Sequence, residues 1–205
     1  MEGPVTVAVT GPLASGKSTL VRFLGERPGT ETASADEIVH HLLKNDRRTI
    51  SRIIERFGDG VRGRDGIDRR ALGHEVFGDA GALRDLEEIL HPLVRSETDR
   101  RIEASMAELF VVEIPLLFET GRGGDFDYTV AVTVPEERRR AWAEERGLDE
   151  AALRAVEARQ FSGEEKARLA DLVVQNDGDL DRLGEQASDL GRMILRERGS
   201  NGNLQ

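Results

Sequence analysis

Cysteine is absent from the 205 residues. Neither a disulfide framework nor a thiolate-held metal is therefore available, and the composition suits a reducing, cytoplasmic setting. Long hydrophobic runs are missing as well. Met1 to Thr10 carries no basic leader followed by an apolar run, and the apolar stretch around Pro115 to Phe118 is far shorter than the roughly 20 residues of a spanning helix. There is no excess of positive charge: 29 Lys and Arg face 39 Asp and Glu, a formal charge of −10. Phosphate backbones are bound chiefly by surplus Lys and Arg, so a nucleic-acid partner is not expected. An N-K-x-D segment, which a guanine-nucleotide switch would use to read its base, is also lacking. Repeats and low-complexity blocks are absent. A soluble intracellular protein is the expectation, with neither membrane nor nucleic acid as partner and a monomer expected; the charge leaves anionic small-molecule substrates open.

The length allows one well-buried core with insertions and is too short for two full-sized domains. Short β-branched runs at Val5 to Val9, Phe110 to Ile114, Thr129 to Val134 and Leu172 to Val174 alternate with segments of helical period, and a weaker, more polar strand is predicted at Glu31 to Ser34. That alternation predicts an α/β fold: a five-stranded parallel sheet covered by helices in three layers. Helices are predicted near Arg47 to Phe57, Arg69 to Phe77 and Ala82 to Glu108. With so little strand character, the interval of about 45–108 reads as an inserted helical substrate domain. A second helical excursion, about 136–169, separates the last two strands. The core is left with about 1–44, 109–135 and 170–198, and the tail from Gly199 to Gln205 has the composition of a frayed end.

Gly11, Pro12, Leu13, Ala14, Ser15, Gly16, Lys17 and Ser18 fit G-x-x-x-x-G-K-[ST] between the first strand and the helical run beginning at Thr19. Glycines let the backbone turn so that successive N–H groups point inward, and the following helix adds the positive end of its dipole. A triphosphate such as that of ATP fits such a cradle. Lys17 would stand between the β and γ phosphates, and the Ser18 hydroxyl would ligate Mg²⁺, which prefers oxygen ligands. The competing reading, an ordinary glycine-rich turn with a surface lysine, leaves the flanking strand and helix unexplained.

A kinase also needs a carboxylate near the acceptor hydroxyl and cations that close over the transferred group. Asp36 follows the weak second strand at the carboxyl edge of the sheet, where ligands bind in open α/β folds. From position alone it reads equally as a general base and as a helix N-cap. Positive charge gathers at Arg69 and Arg70 and at Arg138, Arg139 and Arg140. The second group could equally be a solvated helix face paired with Glu136, Glu144 and Glu145.

Several ordered segments resemble the dephospho-CoA kinase family over nearly the whole chain. Ser34-Ala35-Asp36-Glu37-Ile38-Val39-His40 is similar to its D-A-D-x-I-A-H segment. Phe57-Gly58, Gly66-Ile67-Asp68-Arg69-Arg70-Ala71-Leu72-Gly73 and Val76-Phe77 resemble its F-G, G-x-I-D-R-x-x-L-G and V-F stretch. Leu86-Glu87, Ile89 and Leu90-His91-Pro92 match its L-E-x-I-L-H-P. Glu113-Ile114-Pro115-Leu116-Leu117-Phe118-Glu119-Thr120 is similar to its D-I-P-L-L-F-E-T. Gln160, Glu164-Glu165-Lys166, Ala170-Asp171 and Asn176-x-Gly178 follow its lid and last turn. The resemblance implies transfer of the ATP γ-phosphate to the ribose 3′-hydroxyl of dephospho-CoA, the last step of coenzyme A synthesis. Another small-molecule kinase of this fold, acting on a nucleoside or nucleotide, is the alternative.

On that resemblance Asp36 is the base, Lys17 and Mg²⁺ on Ser18 stabilise the phosphates, and Arg140 (or Arg139, one residue away) closes with the lid. It further implies that Gly11 to Ser18, Thr19 and Asn176 bind the nucleotide. Arg69, Arg70, His91, Arg95 and Leu116 are implied to meet the acceptor. The inserted helices become a coenzyme-binding domain and the 136–169 excursion a lid. Ser34 and Gln175 replace two aspartates of the pattern, which puts a contact to Mg²⁺ water and contacts near the adenine in question. His91-Pro92 is expected to shape a helix break. His40, His41 and His74 have no metal-ligand companions and are expected to be structural.

Overall fold

The computed structural model describes residues 3–201. In chain order the regular elements are β1 (Val5–Thr10), α1 (Lys17–Gly25), β2 (Thr30–Ser34), α2 (Ala35–Asn45), α3 (Arg47–Phe57), β3 (Arg62–Gly63), β4 (Gly66–Ile67), α4 (Arg69–Val76), α5 (Ala80–Ala104), β5 (Leu109–Glu113), β6 (Tyr128–Thr133), α6 (Glu136–Glu145), α7 (Glu150–Glu157), α8 (Gly163–Leu169), β7 (Leu172–Gln175) and α9 (Leu180–Asn201). The described residues form two compact units, one of residues 3–34 and 104–201, the other of Ala35–Glu103.

The first unit is built on a five-stranded parallel sheet in the order β2-β5-β1-β6-β7. The predicted strands thus all form, the polar Thr30–Ser34 strand included. It survives at the sheet edge because only Ala33 needs to be buried there, whereas β1 and β5 are flanked on both sides and read as nearly continuous apolar runs. Val7, Val9, Val111, Val130 and Val132 face one cluster with Leu20 and Leu24 of α1 and Leu183, Ala187, Leu190 and Ile194 of α9.

Register is fixed by a repeated polar device. Asp127, just before β6, accepts from both the N–H and the hydroxyl of Thr6 at 2.8 Å, and returns its own N–H to the Thr6 Oγ1 at 3.0 Å. Asp171, just before β7, does the same with Thr129 of β6 at 2.7, 2.6 and 3.0 Å. Each aspartate closes three hydrogen bonds that a one-residue slip would break.

The second unit is helical. Ile53, Val61, Ile67, Leu72, Ile89 and Leu90 make its principal core. Asp46 caps α3 by accepting from the Thr49 N–H at 2.7 Å, and Asp68 caps α4 from Arg70 and Ala71 at 2.9 and 3.1 Å.

Three expectations are corrected. The helix does not break at His91-Pro92: α5 runs through Pro92 from Ala80 to Ala104. Pro92 costs the Glu88 carbonyl its partner, but Ile89, Leu90 and Val94 around it are each 8% exposed and hold the helix by burial. The interval without strand character contains a small antiparallel hairpin, Arg62 pairing with Ile67 and Gly63 with Gly66, too short to show a period. Finally, α9 continues through Gly199 and Ser200 to Asn201, and 202–205 lie outside the described residues.

Candidate active site

Within the sheet unit, the carboxyl ends of β2, β5, β1, β6 and β7 meet one edge, and the loop after β1 sits at the point where chain order reverses on either side of it. Gly11 has φ +151° and its absent Cβ would lie 2.5 Å from the Val132 carbonyl oxygen. Gly16 has φ +91°, with Asn176 Nδ2 2.2 Å from where a Cβ would be. No side chain fits at either place, which is the physical content of the two fixed glycines in the motif. Ala14 occupies the left-handed region without being glycine, at φ +59°. That conformation costs an alanine about 1 kcal/mol, and the methyl offsets it by burial against Ala143 of α6 and Leu153 of α7.

The cradle carries its charges at fixed points. Lys17, 6% exposed, folds back over the loop and donates from Nζ to the Pro12 carbonyl at 2.8 Å. The hydroxyl of Ser15 is buried with no hydrogen-bond partner, an orphan that a phosphate oxygen would satisfy. The Ser18 hydroxyl donates to Glu113 Oε1 at 3.0 Å. Glu113 ends β5 and is the register partner of Ser34 at the end of β2. Ser18 and Glu113 thus bring together two oxygen donors of the kind Mg²⁺ prefers.

Two hollows adjoin the loop. One of about 290 Å³ is lined by Gly16, Thr19, Trp142, Arg146, Asn176 and Gly178, among others. Asn176, 4% exposed, spends its side chain inside the protein: Nδ2 donates to the Ser15 carbonyl at 3.0 Å and Oδ1 accepts from the Gly178 N–H at 3.0 Å. The other hollow, about 710 Å³, runs from Pro12 past Glu136, Arg139 and Glu157 to Gln160 and the start of α8.

Arg139 and Arg140 differ sharply. Arg139 is 5% exposed, grips Glu136 with Nε and Nη2 at 2.8 and 2.7 Å, also pairs with Glu157, and lines the larger hollow. Arg140 is exposed and donates from Nε to Glu136 at 2.8 Å. The hydrogen bond from Arg139, assisted by Arg140, holds the Glu136 carboxyl at about 2. The helical excursion of 136–169 is divided into α6, α7 and α8 rather than being one rod.

The chain matches the dephospho-CoA kinase family model over residues 5–182. It belongs to the dephospho-CoA kinase family. The dephospho-CoA kinase of Symbiobacterium thermophilum is 42% identical over 185 residues, 88% of this chain and 77% of that relative. Among solved structures, TT1252 from Thermus thermophilus superposes with a TM-score of 0.77 at 32% identity, covering 92% of this chain and 97% of that one. The dephospho-CoA kinase from Campylobacter jejuni does so with 0.61 at 26%, covering 92% and 96%. The protein is accordingly an ATP-dependent kinase of the P-loop fold.

The other residues singled out in the sequence of this kinase lie as follows. Asp36 is exposed in the first turn of α2, the second residue of the helix rather than the one preceding it. Arg69, Arg70, His91 and Arg95 are exposed in the helical unit, where Arg69 Nη1 meets His40 Nδ1 at 3.4 Å. Asn45 Nδ2 contacts His41 Nδ1 at 3.1 Å. Among the described residues no group of three His, Cys, Asp or Glu could hold a metal. Leu116, half-buried after β5, accepts the Thr120 hydroxyl on its carbonyl at 2.7 Å.

Glu113 and the Asn176 tie to the loop join the site only in the folded structure. Glu113 carries a signal in retrospect, a lone acid closing the apolar run Leu109–Val112 at a strand's carboxyl end. The Asn176 bond spans 161 residues and has no local signal.

Proposed function

We propose that this member of the family phosphorylates the ribose 3′-hydroxyl of dephospho-CoA by direct in-line transfer from ATP, with Asp36 as the base and the Gly11 to Ser18 loop as the phosphate cradle. The observation that carries the reading is the Lys17 ammonium held over a loop whose backbone leaves no room for a Cβ at Gly11 or Gly16. The Lys17 cation, tied to the Pro12 carbonyl at 2.8 Å, is thereby kept at the loop where a triphosphate would lie. The orphaned Ser15 hydroxyl adds one more donor.

Mg²⁺ fits the oxygen pair of Ser18 and Glu113 and would neutralise charge on the β and γ phosphates there. Asp36, two residues beyond the end of β2, takes or orients the proton of the acceptor hydroxyl. Arg69, Arg70 and Arg95, with His91, offer donors to the acceptor's phosphates, and Leu116 offers it apolar contact. Residues 136–169 act as a lid. Either lid arginine could grip phosphate oxygens in pairs, and the lining of the larger hollow favours Arg139 over the exposed Arg140. Thr19 and Asn176, beside the smaller hollow, belong to the nucleotide end. The substrates are small molecules, and the absence of cysteine agrees with a cytoplasmic enzyme.

A coupled assay with ATP, Mg²⁺ and dephospho-CoA tests the reaction, with nucleosides as rival acceptors. Asp36→Asn should lower kcat by roughly 10²- to 10⁴-fold, the usual share of general-base catalysis, while ATP affinity stays near wild type. Unchanged kcat would leave Asp36 as a helix-terminus charge. Transfer to a nucleoside and none to dephospho-CoA would remove the acceptor.

A further inference from the structure

Lys166 of α8 is fully buried, at 0% exposure, which is rare for a lysine unless it is paired. Its three N–H bonds are all used. Nζ donates to the Pro115 carbonyl at 2.6 Å, to Glu119 Oε1 at 2.8 Å and to Thr10 Oγ1 at 3.4 Å. Thr10 is the last residue of β1, directly before Gly11, and its own hydroxyl donates to the same Pro115 carbonyl at 3.3 Å. Glu119 Oε1 also accepts the backbone N–H of Phe161 at 2.7 Å. Phe161 precedes Ser162, which caps α8 in a capping box with Glu165. One step further, Gly163 lies beside the phosphate loop, where a Cβ would make ordinary contact with Pro12 Cγ at 3.5 Å.

Two charged groups are thus withdrawn from water where none of the chemistry described above uses them. A buried ion pair is a weak source of stability, since an apolar pair of similar volume often does as well. Its geometry, in contrast, is informative. One end fixes the root of the phosphate loop, the other fixes the first turn of α8, and Pro12 and the segment 160–165 between them line the larger hollow. We infer that Lys166 and Glu119 are positioning residues: a buried ionic anchor that sets the gap between the phosphate loop and the start of α8, and through it the place of the transferred phosphoryl group.

The inference rests on the kinase reading above. Wild-type turnover checks that reading by itself, and the ratios between variants check the anchor. Lys166→Met strands the Glu119 carboxylate and should lower both the Tm and kcat. The decisive protein is the double variant Lys166→Met with Glu119→Gln. It removes both charges, and its glutamine still accepts the Phe161 N–H.

The double variant should recover most of the Tm, yet keep a kcat roughly 10- to 100-fold below wild type, the scale of a misplacement of about 1 Å remote from the chemistry. KM for dephospho-CoA should move little. So should ADP affinity, read from the fluorescence of Trp142, the one tryptophan of the chain. A double variant whose kcat returns together with its Tm would overturn the inference, because the pair would then serve stability alone. A folded double variant with wild-type kcat and unrecovered Tm would overturn it equally.

Discussion

Asn176 donates from Nδ2 to the Ser15 carbonyl at 3.0 Å and stands 2.2 Å from the point where a Cβ on Gly16 would fall. The last strand's turn and the phosphate loop are therefore locked by a fit that allows no side chain on one partner and needs a donor on the other. Asn176→Asp replaces that donor with a carboxylate aimed at a carbonyl oxygen. It should weaken ATP binding by about 10-fold or more, since an unmade buried hydrogen bond costs about 1–3 kcal/mol. Gly16→Ala adds strain at φ +91° to the collision and should be the worse of the two. Nucleotide titration monitored by tryptophan fluorescence checks both, and equal affinities for wild type and Asn176→Asp would contradict the lock.

Ala14→Gly sets two effects against each other. Relief of the left-handed alanine conformation is worth about 1 kcal/mol. Loss of the buried methyl costs about 0.8 kcal/mol, and the greater freedom of glycine in the unfolded chain costs up to about 1 kcal/mol more. The Tm should fall slightly or stay level. The packing of Ala14 against Ala143 and Leu153 is lost in any case, so segment 136–169 should exchange its amide hydrogens faster. Unchanged exchange there would show that the methyl does not hold the segment.

The strands were legible because burial on both faces wrote them as β-branched runs, Val5 to Val9 and Phe110 to Ile114 above all. The phosphate loop was legible because its requirements are local: two glycines with positive φ, a lysine and a serine at fixed spacing. What stayed hidden depends on long-range contact. The α5 helix passes through Pro92 because Ile89, Leu90 and Val94 are buried around it, which no rule about the residue before proline can see. The distinction between Arg139 and Arg140 depends on Glu157 from the next helix. The partner of Ser18 lies 95 residues away. Lys166 enters the sequence only as part of the Glu164-Glu165-Lys166 segment that resembles the family pattern, and its burial appears only when β1 and the turn after β5 are folded around it.

Glu113→Gln tests the oxygen pair at Ser18. Glutamine preserves the hydrogen bond from the Ser18 hydroxyl but removes the negative charge that a hard cation seeks. The Mg²⁺ concentration for half-maximal activity should rise several-fold while the Tm stays within a degree or two. Calorimetric titration of Mg²⁺ into the ADP complex provides a readout independent of turnover. If both constants match wild type, Glu113 plays no part in holding the cation.

Glu136 gives segment 136–169 an acid limit. Its carboxyl is held at about 2 rather than 4.5, first by the hydrogen bond from Arg139 and then by Arg140. The folded form therefore binds its proton less readily than the unfolded chain does. The contribution is complete above the ordinary value of 4.5 and is lost as pH falls from there toward about 2. Glu97, also held at about 2 by Arg100 and Arg101, titrates over the same range but belongs to the helical unit of Ala35–Glu103. A global melting curve would mix these with Asp46, Asp79 and Glu165, whose carboxyls are also held below the ordinary value by hydrogen bonds at their helix starts. Trp142 lies on α6 with Glu136, so its fluorescence between pH 5 and 2 should report the loosening of 136–169 in particular. Glu136→Gln should flatten that transition and leave the acid response that Glu97 contributes, followed by far-UV circular dichroism, in place. An acid transition at Trp142 of the same midpoint and amplitude in wild type and Glu136→Gln would show that the Glu136 to Arg139 pair does not hold the segment together.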